Sequence, residues 1–191
     1  MTVEQILADL IQRSYGNAEV ERHRAYRPSE DLLKSAAQVG STILQNRPRD
    51  VVSGDCRYLS AMWVAKLRDE LNAPAFCVAG HLYARGRMAF GSADPEVAKQ
   101  LAASRENWDG HCWIMLGGYL GDISIFRSAY AAPEGSNLRA VVIEKFGYNR
   151  GLFLKQWSEV GQWDLEYCPK HVATETEITG LINGARTKGQ L

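Results

Sequence analysis

A chain of 191 residues has room for one sizeable core, and its 22 lysines and arginines balance 22 aspartates and glutamates. That balance excludes a general attraction to nucleic acid or to an anionic membrane, so any partner must be chosen by a local site. No stretch approaches the roughly 20 apolar residues that span a bilayer, and the first residues lack the pattern of a signal peptide, so a cytoplasmic location is expected.

Residues 3–13 place Val3, Ile6, Leu7, Leu10 and Ile11 on one helical face. Residues 29–45 do the same with Leu32, Leu33, Ala36, Val39 and Ile43, and Ser29 stands where an N-cap belongs. Between them, NAEVERHRAYRPSE reads as a solvated linker, with Arg22, Arg24, Tyr26 and Arg27 as weaker candidates for contact with phosphate. A third helix opens at Cys56 and buries Leu59, Trp63, Leu67 and Leu71, with Ser53 or Asp55 as its cap.

After Pro74, APAFCVAGHLYA reads as a strand. The following RGRMAFGSADPEVAKQLAASRENWDG interrupts the strands with a helix capped by Asp94 with Pro95 in its first turn. It is either a lid or a plain surface excursion. HCWIMLGGYLGDISIF is a hairpin signal around Gly117 and Gly118. LRAVVIEKF is expected as a strand, GLFLKQWSEVG as a helix and WDLEYC as a final strand. The polar tail from Thr174 holds one short possible helix and frays at ARTKGQL. Helices followed by neighbouring antiparallel strands predict a single α+β domain over residues 1–191, with a helical part over 1–46, a core over about 50–170 and a partly disordered tail over 174–191.

The hairpin carries the first chemical signal. With a two-residue turn, Leu116 faces Tyr119, Trp113 faces Asp122 and His111 faces Ser124. Residues two apart share a face, so His111, Trp113, Asp122 and Ser124 project together, with His111 and Asp122 as diagonal neighbours roughly 7–8 Å apart along the backbone. A carboxylate among apolar strands is costly to bury without a partner, and a histidine N–H supplies one. In return the carboxylate fixes the tautomer of the ring and leaves its other nitrogen for proton transfer. The alternative is a structural histidine with an aspartate in water at the strand edge.

His111 and Cys112 are adjacent on a strand and point to opposite faces, so they do not readily serve one ion. The CPKH run, Cys168 to His171, finds no matching ligand pair. RGRMAFGS lacks the ending of a phosphate loop, and no metal, nucleotide or other cofactor is expected. His23, His81 and His171 read as linker, strand and loop residues.

Cys56 is the second signal. In reducing surroundings Cys56, Cys77, Cys112 and Cys168 should all be free thiols, and Cys77 and Cys112 sit in apolar strands as core residues. Cys56 instead follows Gly54 and Asp55 at a helix start, where unsatisfied N–H groups and the helix dipole favour a thiolate.

The order GDC at a helix start, HCW on a strand and GDIS on the next resembles the core of transglutaminase-like proteins, within the papain-like cysteine proteinase fold superfamily, over roughly residues 50–128. The resemblance implies a Cys56, His111 and Asp122 triad with Trp113 as its accompanying aromatic. It further implies a nucleophile helix and N-terminal helices packed on an antiparallel sheet. The superfamily includes peptidases, protein crosslinkers, deglycosylating enzymes, acetyltransferases and members that have lost activity.

The expected reaction is attack of Cys56 on an amide carbonyl of a peptide, protein or small molecule, with His111 protonating the leaving amine and Asp122 orienting His111. The backbone N–H of Cys56 and one donor from Gln45 or an indole are the expected oxyanion contacts, and Trp113, Trp108 and Gln45 are the substrate-binding candidates. The alternative is a catalytically inactive module of the same fold that holds a peptide or protein partner.

Overall fold

The computed structural model describes residues 2–46, 55–91 and 109–187. Helix α1 (Val3–Tyr15) starts with a reciprocal cap, in which the Thr2 hydroxyl accepts from the Gln5 N–H and the Gln5 side chain accepts from the Thr2 N–H. It buries Leu7, Ala8 and Ile11.

The expected linker that follows is a helix, α2 (Asn17–Ala25). It has almost no apolar stripe to announce it, since Val20 is its one buried residue. Pairs three residues apart, Arg22 with Glu19 and Arg24 with Glu21, support it instead. Arg27 donates to the carbonyls of Arg24 and Tyr26, so this basic run is engaged with its own segment.

Helix α3 (Glu30–Gln45) is capped by Ser29, whose hydroxyl accepts from the Leu32 N–H at 3.2 Å. Helix α4 (Asp55–Leu71) buries Cys56, Leu59, Trp63 and Leu67. The Trp63 indole N–H donates to the Ala36 carbonyl at 2.9 Å and ties α4 to α3. Gly121 lies against the same indole, where a Cβ would come within 2.8 Å of its ring, so the sheet must present hydrogen there.

Among the described residues six antiparallel strands form one sheet: β1 (Ala75–Ala84), β2 (Arg87–Phe90), β3 (His111–Leu116), β4 (Tyr119–Asp122), β5 (Phe153–Gln156) and β6 (Leu165–Val172). β1 is central. Its Ala75–Gly80 stretch pairs with β3 and its Leu82–Ala84 stretch with β2, while β6 takes the other edge. β4 and β5 extend the sheet beyond β3.

The expected hairpin has its two-residue turn, with Leu116 opposite Tyr119 and Ile114 opposite Gly121. It ends earlier than expected. β4 stops at Asp122, and Ser124 stands at the N-cap position of the short helix α5 (Ile125–Ala131), without a side-chain cap bond of its own, rather than lying opposite His111. β2 was not foreseen; it returns along β1 through Arg85 and Gly86, both at positive φ, as a tight hairpin turn requires.

Two further expectations are corrected. LRAVVIEKF forms most of helix α6 (Asn137–Phe146), because Leu138, Val141 and Val142 fall at helical spacing and are buried on one side. GLFLKQWSEVG is not a helix: Phe153–Gln156 pairs with β4 as β5, and Trp157–Trp163 follows as a 3₁₀ segment. The tail forms helix α7 (Glu175–Thr187), longer than expected and anchored by Ile178 and Ala185.

Alternation along the strands gives the sheet two cores. Cys77, Ala79, Cys112, Ile114 and Leu116 face α3, α4 and α7. Phe76, Val78, Leu82, Trp113, Met115 and Tyr167 face α1, α2, α5 and α6. The architecture is therefore α+β with helices on both faces of an antiparallel sheet. Asp94, Pro95 and the rest of the lid candidate over 92–108, together with Ser53, lie outside the described residues. Among the described residues no helix is long and apolar enough to cross a membrane.

Candidate active site

Three elements begin or end at one place. α4 starts with Cys56 in its first turn, β3 starts at His111 and β4 ends at Asp122. The N–H groups of that first helical turn have no partner within the helix and carry the positive end of its dipole. β2 arrives beside β3, where the Gly91 N–H donates to the Asp109 carbonyl at 2.7 Å. This brings Phe90 flat against the His111 ring, centroids 4.9 Å apart and planes within 14°.

His111 and Asp122 meet as the hairpin register requires. His111 Nε2 lies 2.5 Å from Asp122 Oδ2, with His111 and Asp122 fully buried. The other carboxylate oxygen, Oδ1, accepts from the Ser124 N–H at 2.9 Å, the Ser124 hydroxyl at 3.1 Å and the Ile125 N–H at 2.9 Å. Tyr167 from β6 donates its phenol to Oδ2 at 2.8 Å.

This donor set decides the charge. Burial pushes the Asp122 carboxyl up, but the His111 imidazolium and the hydrogen bonds from His111, Ser124 and Tyr167 outweigh it and hold Asp122 below the ordinary aspartate value. Burial likewise opposes a charge on His111. The Asp122 carboxylate and, less strongly, the Cys56 sulfur reverse that and raise the imidazole to about 10.

Cys56 completes the set. Its sulfur is near enough to the Cys112 thiol and the His111 ring to interact with both. The Cys112 contact lowers the Cys56 pKa most, burial opposes, and the charge and hydrogen bond of His111 lower it further, so the thiol sits well below its usual value. Cys112 moves the other way: burial, and its contacts with Cys56 and Cys77, keep it a thiol. With Nε2 given to Asp122, the ring nitrogen left for sulfur is Nδ1, which has no hydrogen-bond partner in this resting arrangement among the described residues. Loose nucleophile-to-base geometry that tightens around substrate is common in unliganded sites.

The remaining candidates divide. Trp113 is fully buried and stands edge-on to Tyr167 with centroids 5.1 Å apart, so it backs the imidazole from inside the core and does not line a substrate surface. Gln45 is exposed at the last position of α3, and among the described residues no hydrogen bond joins it to Cys56 or His111. Trp108 lies outside the described residues.

His171 pairs with Glu177 at 3.0 Å at the start of α7, and His23 packs edge-on against Phe76 at 5.5 Å. Cys168 is half-buried, and its thiol is pushed up to about 11 by burial and the neighbouring Glu166. Among the described residues, no group of three or more His, Cys, Asp or Glu side chains is placed to hold a metal ion.

Two members of the site were not anticipated. Cys112 reads as plain core, although its place directly after His111 turns its thiol toward α4. Tyr167 lies on the inward phase of β6, a position that alternation along LEYC indicates, but nothing local says which strand β6 joins. Comparison with known proteins found no matching family model, no matching curated protein and no matching solved structure.

Proposed function

We propose that the protein is a cysteine-dependent hydrolase or acyltransferase acting on an amide bond of a peptide, protein or small molecule, built on a transglutaminase-like version of the papain-like cysteine proteinase fold. The observation that carries the reading is the buried 2.5 Å contact between His111 and Asp122, with Cys56 close enough to interact with the same ring.

The Cys56 thiolate attacks the amide carbon, and the carbonyl electrons move onto oxygen. The Cys56 backbone N–H, in the first turn of α4, is a donor for that oxyanion. As the carbonyl re-forms, the C–N bond breaks and His111 gives its Nδ1 proton to the departing amine. The thioester is then attacked by water or a second amine, which returns a proton to His111, and Cys56 leaves as the thiolate. Asp122 remains ionised throughout and holds the ring by Nε2. Hydrolysis is the simpler outcome, because water needs no second binding site.

An electrophilic amide mimic followed by peptide mapping tests this reading. Modification is expected at Cys56 alone, despite its 8% exposure, and not at the more exposed Cys168. Labelling of all four thiols at similar rates would favour the inactive binding module instead.

A further inference from the structure

We propose that Tyr167 is the positioning residue of this site, its phenol sharing Asp122 Oδ2 with the His111 ring and so setting how strongly the carboxylate holds the imidazole. The assignment rests on the reading above only for its consequence in catalysis. The cluster of His111, Asp122 and Tyr167 stands on its own geometry.

The two oxygens of Asp122 are used differently. Oδ1 is taken by three donors from the start of α5, which fix the plane of the carboxylate. Oδ2 serves His111 Nε2 at 2.5 Å and the Tyr167 hydroxyl at 2.8 Å. Two donors on one oxygen draw on the same electron density, so each weakens the other's bond. Tyr167 thereby moderates an ion pair that would otherwise hold its proton too firmly to pass it on.

The fold goes to some length to bring Tyr167 there. It comes from β6, opposite Leu82 on β1, and reaches over the sheet to the end of β4. Beneath that reach lies Gly80, where a Cβ would come within 2.8 Å of the Trp113 ring and 2.1 Å of the Cys168 carbonyl. The bare backbone lets Trp113 lie flat enough to brace Tyr167 edge-on. Tyr167 is itself buried, and burial together with the Asp122 charge raises its pKa well above the ordinary phenol value, so it stays a donor. The titratable groups facing the pair are Cys56 from α4, with Cys112 behind it on β3, and Tyr167 from β6. Phe90 and Trp113 cover the ring without titrating.

The test is a nuclear magnetic resonance titration of the His111 ring in the wild-type protein, in Tyr167→Phe and with Tyr167 replaced by a ring-fluorinated tyrosine. The phenyl ring keeps the packing against Trp113 and removes the donor alone. Tyr167→Phe is expected to raise the His111 midpoint by about half a unit to one unit, since the lost hydrogen bond is worth about one to two units at Asp122 and only part of that reaches His111. The fluorinated ring, a stronger donor of the same shape, is expected to lower it, and this arm decides alone if Tyr167→Phe does not fold. Coincident midpoints, or shifts of the opposite sign, would overturn the proposal. Failure of the hydrolase reading looks different: the midpoints move as expected while Cys56 shows no selective reaction with the amide mimic.

Discussion

Asp122→Ala is expected to destabilise the fold by about 3–5 kcal/mol, the largest stability loss of any single change at this site. The carboxylate collects donors from His111, Ser124, Ile125 and Tyr167 in a fully buried position, and alanine leaves all of them without an acceptor. A domain of ordinary stability retains only about 5–15 kcal/mol in total, so chemical denaturation should show a much lower midpoint or no cooperative transition.

The pH dependence identifies the cause. Asp122 has its folded pKa depressed, so its contribution is present above the unfolded aspartate value and is lost as pH falls through the lower folded value. His111 has its folded pKa raised from 6.5 to about 10, so its contribution is complete below pH 6.5 and is lost as pH rises toward 10. Cys56, whose folded pKa is depressed, gives up the proton that His111 takes, so the two slopes cancel up to the ordinary thiol value of 9, and wild-type stability should decline as pH rises from about 9 toward 10. Asp122→Asn, which keeps the volume but not the charge, should flatten that decline, because burial then keeps His111 neutral. An equally steep alkaline decline in Asp122→Asn would separate His111 from it.

His111→Ala is expected to reduce Cys56-dependent turnover by on the order of 10²–10⁴-fold, the usual contribution of a positioned proton donor and acceptor. Alkylation of Cys56 should fall less. The start of α4 and the Cys112 thiol, which also favour the thiolate, are untouched, so part of it survives without the imidazolium. Turnover additionally needs a proton delivered to the leaving amine, and no thiol replaces that. Parallel measurements of iodoacetamide alkylation and amide turnover read the split. Equal losses in both would assign the whole effect of His111 to thiolate formation.

Much of this site is legible in the chain because local rules fix it. Gly117 and Gly118 set a two-residue turn, the turn sets the register, and the register brings His111 to Asp122. Cys56 is marked by its place at a helix start. Ser124 was displaced because β4 stops at Asp122, whose carboxylate takes the first N–H groups of α5 and turns the chain into a helix.

Val141, Val142 and Ile143 carry strong strand propensity, and a short run of them satisfies either period until the core chooses. α2 had no apolar period to read. Tyr167 depends on the pairing of β6 with β1, a contact between distant parts of the sequence that no window of residues contains. Trp113, expected among the substrate contacts, is buried for a related reason: alternation places it on a face but does not reveal the helices that cover that face.

The central claim is that Cys56 and His111 rest as a thiolate and an imidazolium, and the ultraviolet absorbance of the thiolate measured against pH tests it most directly. The difference between the wild-type protein and Cys56→Ala should show one thiolate already present at neutral pH and lost only in acid, at a pH well below the ordinary cysteine value of 9. A difference signal that is absent at neutral pH and emerges only near pH 9 would contradict the account.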